Sequence, residues 1–158
     1  MNPKLLSPYV GCAGWSIPKE NTGSFPEAGT HLQRYAQRFR GVEINSSFYR
    51  PHKPQTYAKW AGDVRDDFRF AVKVPKVITH EGRLKNAGEP LTRFLQEVGE
   101  LGPKLGPLLV QLPPSLAFDE AIVSSFFSTL RDCFAGHVVC EPRHLTWFSP
   151  EANELLAS

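Results

Sequence analysis

The chain has 158 residues, the size of one ordinary domain, and 18 Lys and Arg against 16 Asp and Glu leave it at +2 near pH 7. That balance gives no reason to expect a nucleic acid, a membrane surface or an acidic substrate. With 41% hydrophobic residues it should bury roughly 68–70% of the surface its unfolded form exposes, so no metal or disulfide is needed to hold a core.

Other classes are excluded by pattern. The longest apolar stretch, Leu105 to Leu112, is far short of the ~20 residues a membrane helix needs. MNPKLLSPYVGCAGW carries one Lys and a short apolar pair before Pro8, not the continuous apolar core of a secretory signal. Cys12, Cys133 and Cys140 are odd in number and lack CxxC spacing. They read as buried free thiols in a reducing compartment, with the cytoplasm as the expected location.

In chain order, Tyr9–Trp15 (YVGCAGW) reads as a buried strand with two glycines that permit close backbone approach. Thr30 is a helix N-cap, Leu32, Tyr35, Ala36 and Phe39 recur at helical spacing, and Gly41 closes the run. Val42–Asn45 is a short strand, Thr56–Gly62 a short helix, and Phe68–Val74 an alternating strand stopped by Pro75. The second half repeats the rhythm. Pro90–Leu101 carries Leu91, Phe94, Leu95 and Val98 on one helical stripe, and Leu108–Leu112 is a strand ended by Pro113 and Pro114. Asp119 caps a helix bearing Ile122, Val123, Phe126, Phe127 and Leu130; His137–Glu141 is a strand ended by Pro142. The last helix opens with Ser149 as cap and Pro150 at its first position. Residues 1–158 thus read as one domain, with five strands alternating with helices and a parallel sheet as the expected α/β architecture. A closed eight-unit barrel takes ~250 residues and rarely fewer than ~200, so length by itself favours an open sheet.

Five segments modify that reading. VGCAGWSIP, FRGVEINSSFYRPHKPQTYAKWAG, DFRFAVKVPKVITHEGRL, LGPLLVQLPPSLAFD and VVCEPRHLTWF together resemble the YecE-like family, a domain of unknown function, from about Val10 to Trp147. The resemblance implies a TIM-type (β/α) barrel with no settled activity, here represented by its five N-terminal βα units. Such a barrel is either incomplete or completed by a partner, because five of eight strands leave two unpaired edges.

In an open sheet or a barrel, ligands bind at the carboxyl ends of the parallel strands. The expected catalytic set is Glu43, Lys73, His80, Glu141 and His144; the expected ligand-binding set is Asn45, Tyr49, Gln111, Arg143 and Trp15. Glu43 and Asn45 lie two apart in one strand and so on one side of it. A carboxylate there is costly unless it is paired or hydrogen-bonded, and the expected partner of Lys73 is Glu43 on the neighbouring strand or Glu141 further round. Lys73 is an anion anchor or a base of lowered pKa, His80 an acid or base near neutral pH, and Gln111 an orienting amide. Glu141, Arg143 and His144 form the densest cluster, with Arg143 offering a bidentate fork. Trp147 is a second stacking candidate beside Trp15, and Lys76 reads as a solvated loop charge.

Each of these has a plainer reading as ion pair, loop brace or core packing. Glu43, His80, Glu141 and His144 have metal-ligand chemistry but no HxH or HExxH spacing, so no metal is expected. A Walker A loop is absent and GCAG lacks the rest of a dinucleotide fingerprint, so no cofactor is expected either. The functional expectation is a site for a small polar or phosphorylated ligand, worked by acid–base hydrolysis. The alternatives are a non-catalytic binding or interaction module, acting through self-association or a complementary barrel fragment, or an inactive fragment of a barrel enzyme.

Overall fold

The computed structural model describes residues 8–157. Its centre is a four-stranded, wholly parallel sheet in the order β1-β2-β3-β4, with β1 Gly41–Ile44, β2 Arg69–Lys73, β3 Leu105–Gln111 and β4 Val138–Glu141. Helices α1 (His31–Ala36), α2 (Pro54–Gly62), α3 (Gly88–Val98), α4 (Glu120–Cys133) and α5 (Pro150–Ala157) fill the connections. No helix of the described residues is long and apolar enough to cross a membrane.

The helix starts follow local chemistry. Thr30 Oγ1 accepts from the Gln33 amide at 3.2 Å, and Gln33 Oε1 accepts from the Thr30 amide at 2.9 Å, a complete capping box. Pro54 opens α2, where its missing N–H costs nothing. Asp119 caps α4 through the Ile122 amide at 3.1 Å, and Ser149 Oγ takes the Ala152 amide at 3.2 Å at the start of α5. Lys104 serves the other end of α2: its ammonium donates to the carbonyls of Ala61 at 2.8 Å and Val64 at 2.6 Å.

Strand alternation sorts the sheet into two faces. Val42 and Ile44 of β1, Phe70 and Val72 of β2, and Leu108 and Val110 of β3 are buried against Leu91, Phe94 and Val98 of α3 and Phe126 and Leu130 of α4. The opposite face carries Glu43 paired with Ala71, then the row Lys73, Leu109, Val139, then Gln111 paired with Glu141. Among the described residues no layer covers that second face; Val139, a strand valine, is 50% exposed. A register shift between Phe70 and Val72 lets Gly106 and Pro107 bulge within β3 without moving this alternation.

The expected first strand differs. Tyr9–Trp15 meets β1 through a single parallel bridge, Ala13 to Glu43, with Glu43 N–H donating to the Cys12 carbonyl at 3.0 Å and Gly14 N–H to the Glu43 carbonyl at 2.9 Å. It forms no continuous ladder, so the described sheet has four strands rather than five. The Tyr35 hydroxyl clamps this segment, accepting from the Cys12 amide at 2.8 Å and donating to the Gly41 carbonyl at 3.0 Å. Burial pushes its pKa up to about 12, so the clamp keeps its proton. At Gly11 the backbone passes so close that a Cβ would stand 2.0 Å from the Gly41 carbonyl oxygen.

The thiols are free, as expected, but not uniformly buried: Cys12 and Cys133 are exposed and Cys140 is half-buried, its pKa pushed up to about 12 by burial and the neighbouring Glu141. Lying beside an apolar run did not bury the first two: Cys12 sits in an edge segment and Cys133 on the solvent side at the end of α4. Trp147 is core rather than a stacking platform: it is 2% exposed and donates its indole N–H to the Leu116 carbonyl at 2.7 Å.

Removing the Tyr35 hydroxyl orphans one donor and one acceptor together. Tyr35→Phe should lower stability by about 1–3 kcal/mol in urea unfolding. In hydrogen exchange, the Cys12 amide should lose protection first.

Candidate functional site at the carboxyl ends of the strands

Lys73 ends β2 on the uncovered face. Its side chain is 8% exposed, and its ammonium stands 4.5 Å from the centroid of the Phe48 ring. It makes no salt bridge among the described residues, so neither Glu43 nor Glu141 is the direct partner expected of it. Both carboxylates are nevertheless within its field. Burial raises the Glu43 pKa; Lys73 opposes the rise and Glu141 adds to it. Burial also pushes Glu141 upward, but hydrogen bonds from Arg143 and Gln111 and the charges of Arg143 and Lys73 outweigh it, and the net shift is downward.

Gln111, Glu141 and Arg143 do come together. The Gln111 amide donates to Glu141 Oε1 at 3.1 Å and Oε2 at 3.2 Å, while Arg143 Nε and Nη2 reach Oε1 at 3.0 and 2.8 Å. The sequence-adjacent Pro142 turns the chain as β4 ends, so Arg143 folds back onto its own strand terminus. Gln111 is 8% exposed, and its placement by pairing across to Glu141 follows from strand register alone.

His80 approaches from the connection after β2. Residues Val77–Glu81 form one turn of π-helix, and Arg83, Leu84 and Asn86 then adopt φ of 49°, 67° and 51°. Three non-glycine residues in the left-handed region are costly and persist only where surrounding contacts impose them. Here Leu84 is buried, and the Arg83 guanidinium donates to the Ser115 carbonyl at 2.9 Å, tying this loop to the one after β3. The His80 ring lies edge-on to Phe48 at 4.8 Å, with Nδ1 2.9 Å from Thr79 Oγ1. Burial first, then the charges of Lys73 and Arg143, lower its pKa, so His80 is neutral near pH 7. Phe48 is therefore the shared floor under Lys73 and His80. No motif argument singled it out, because its strand-end turn of 3₁₀ helix (Ser46–Phe48) is invisible to alternation.

That turn also changes the reading of Asn45. β1 stops at Ile44 and Asn45 is already helical in φ and ψ, so the two-residue alternation with Glu43 does not reach it. Its Oδ1 is instead buried without a hydrogen-bond partner. Ser47 Oγ, 2.9 Å from the Ile44 carbonyl and 2.7 Å from that of Lys73, ties the same turn to the end of β2.

Other expected residues lie apart from this group. Tyr49 is 68% exposed and contacts Phe48 edge-on. Trp15 packs edge-on against Trp60 at 5.0 Å. His144 caps its own turn, Nδ1 accepting from the Thr146 amide at 3.2 Å, which explains its position without a ligand. Lys76 pairs with Glu81 at 2.9 Å on the surface. Among the described residues no three His, Cys, Asp or Glu side chains gather as a metal set would. Sequence reasoning also missed Ser46 and His52, whose Oγ and Nε2 lie 2.8 Å apart beside Trp60.

The opposite shifts of the two carboxylates give opposite pH signatures. Glu43, raised in the fold, favours folding at acid pH, and that contribution is lost as pH rises through its folded pKa. Glu141, depressed, stabilises above the ordinary glutamate value, and its contribution is lost as pH falls. Glu43→Gln should therefore raise the urea midpoint at pH 7, with the gain vanishing below about pH 4. Glu141→Gln should lower the midpoint at pH 7, and its deficit should also close on acidification.

Comparisons with known proteins bear on the family and the fold. The model of a family described as protein of unknown function DUF72 matches residues 9–158. UPF0759 protein YecE of Escherichia coli K12 is 36% identical over 106 residues, covering 66% of this chain and 37% of that protein. UPF0759 protein YunF of Bacillus subtilis is 29% identical over 160 residues, covering 92% and 54% respectively. A DUF72 family crystal structure from Thermotoga maritima superposes with a TM-score of 0.74 at 27% identity over 94% of this chain and 60% of that one. One from Enterococcus faecalis gives 0.75 at 24% identity, over 94% and 55%. The chain thus spans between a third and somewhat over half of the length of the relatives it matches. It belongs to the DUF72, or YecE-like, family.

Proposed function

We propose that the strand-end rim is a binding site for a small polar anion, a carboxylate or phosphate ester that also carries a hydroxyl group. On this reading the chain is the first part of a barrel-type binding module. The observation that carries it is Lys73: a cation on a buried stem, fixed over Phe48, with no carboxylate in salt-bridge contact among the described residues. A cation so placed gains most from an anion that arrives from outside. Arg143 stands beside it as a second, exposed cation, already oriented by Glu141. Asn45 Oδ1 supplies a buried acceptor in want of a donor, which a ligand hydroxyl satisfies.

A second reading, acid–base hydrolysis, is favoured by one observation. Glu43 and Glu141 flank Lys73 with pKa values displaced in opposite directions, the arrangement that separates a proton donor from a carboxylate that stays ionised. In that reading Glu43 supplies the proton and neutral His80 accepts one.

Calorimetric titration of the chain with inorganic phosphate and with citrate, at low ionic strength, tests the binding reading. Binding should weaken as salt rises, and Lys73→Met should reduce affinity by roughly tenfold or more without changing the thermal melt. Equal affinity in Lys73→Met would sink it. Hydrolysis of p-nitrophenyl phosphate that Glu43→Gln abolishes, with phosphate binding retained, would favour the second reading.

A further inference from the structure

Ser46 and His52 are not part of the anion group, and they are joined to each other. Ser46 opens the 3₁₀ turn that follows β1, where it is exposed, and its Oγ stands 2.8 Å from His52 Nε2. His52 sits in the link to α2, between Pro51 and Pro54, which restrict the backbone on both sides of it. Its half-buried ring lies edge-on to two residues of α2, Tyr57 at 5.8 Å and Trp60 at 5.1 Å, and Trp60 is backed in turn by Trp15 at 5.0 Å. Those ring contacts orient the imidazole. Burial first, and then the charge of Arg50, lower its pKa, so the ring is neutral near pH 7. A neutral imidazole that accepts a hydrogen bond from a hydroxyl is placed to take its proton, which is how a weakly nucleophilic serine is activated.

We propose that Ser46 is a nucleophile toward carboxylic esters, with His52 as its general base. In the first step Oγ bonds to the ester carbonyl carbon while its proton passes to His52 Nε2. The bond to the alkoxide then breaks, and the alkoxide leaves as the alcohol, carrying that proton. In the second step a water gives one proton to Nε2 and bonds through its oxygen to the carbonyl carbon. The bond to Oγ breaks, Oγ recovers the proton from Nε2, and the carboxylic acid is released. Arg50, whose field reaches His52, is the cation at hand for the oxyanion formed in each step. Trp60 and Trp15, both half-buried, give the pair an apolar flank, so the substrate class is a small ester with an apolar or aromatic acyl group. A neutral ester needs nothing from Lys73, and the activity does not rest on the anion-binding reading.

The test treats the chain with a fluorophosphonate, which requires the first step alone: Oγ bonds to phosphorus, fluoride leaves, and the proton passes through His52 to solvent. Peptide mass mapping should place the adduct on Ser46, with its buried neighbour Ser47 unlabelled. The labelling rate should rise with pH through the pKa of His52, below the ordinary ~6.5, and then level off. His52→Gln keeps an acceptor for the hydroxyl but cannot take its proton, and should slow labelling about a hundredfold or more. Ser46→Ala, at an exposed position, should abolish labelling with the thermal melt unchanged. Lys73→Met should label at the unaltered rate, which separates this activity from anion binding. Hydrolysis of p-nitrophenyl acetate should follow the same pattern across the three variants. Absence of an adduct at Ser46 would overturn the inference. So would a rate indifferent to His52→Gln, or one that climbs with pH without levelling.

Discussion

The pleat of a parallel sheet divides its side chains into two populations, and in this chain only one of them is sealed. On the helical side of β1 to β3, Val42, Ile44, Phe70, Val72, Leu108 and Val110 are apolar and buried. Everything of chemical interest lies on the other side or at the strand ends above it. The stability of the domain and the placement of its polar residues are thus two consequences of one alternation. The sealed side fixes strand register to within a single residue, because a slip of one would turn Lys73 and Gln111 into the core and Val72 and Val110 out of it. The polar rim stands on that packing, and its own hydrogen bonds, from Gln111 and Arg143 to Glu141 and from Ser47 to the Lys73 carbonyl, hold its groups above it.

Much of this order was legible in the residues. Caps at Thr30, Asp119 and Ser149, the proline stops after β2, β3 and β4, and the helical stripe through Leu91, Phe94 and Val98 placed four strands and five helices to within a few residues. Each of those signals is local: a side chain satisfying a nearby amide, or a ring that has no amide to offer. Tyr9–Trp15 was misjudged because strand formation is not local. Its apolar composition suits a strand, yet it touches β1 at one bridge and depends on Tyr35, more than twenty residues away, to hold it.

The site shows the same division. Gln111 and Glu141 were singled out as polar residues at strand ends that prolines follow, and Arg143 by its nearness to Glu141 in the chain; that Gln111 and Glu141 lie opposite each other was not foreseen. The relation of Lys73 to the carboxylates was foreseen as contact and emerged as field, with Phe48 rather than a carboxylate beneath the ammonium. Asn45 was named for the wrong reason, since a strand that ends one residue early changes where its amide points. His144 and Trp147 had plainer duties, a turn cap and a core filler, which composition cannot distinguish from ligand contacts. The π-turn carrying His80 and the left-handed residues after it had no sequence signal, because nothing in VITHEGRLKN requires that geometry apart from its surroundings.

The close approach at Gly11 has a bearing on how this sequence can vary. With only 2.0 Å between the position of a Cβ and the Gly41 carbonyl oxygen, the smallest substitution pushes the whole segment off the sheet edge. Neighbouring positions can exchange size and polarity, as exposed Tyr9 and Val10 suggest, but this one admits no methyl group. Inheritance of the segment therefore hinges on an atom that is missing. The most constrained point along it would be its least conspicuous residue, with no charge, ring or thiol to draw attention to it.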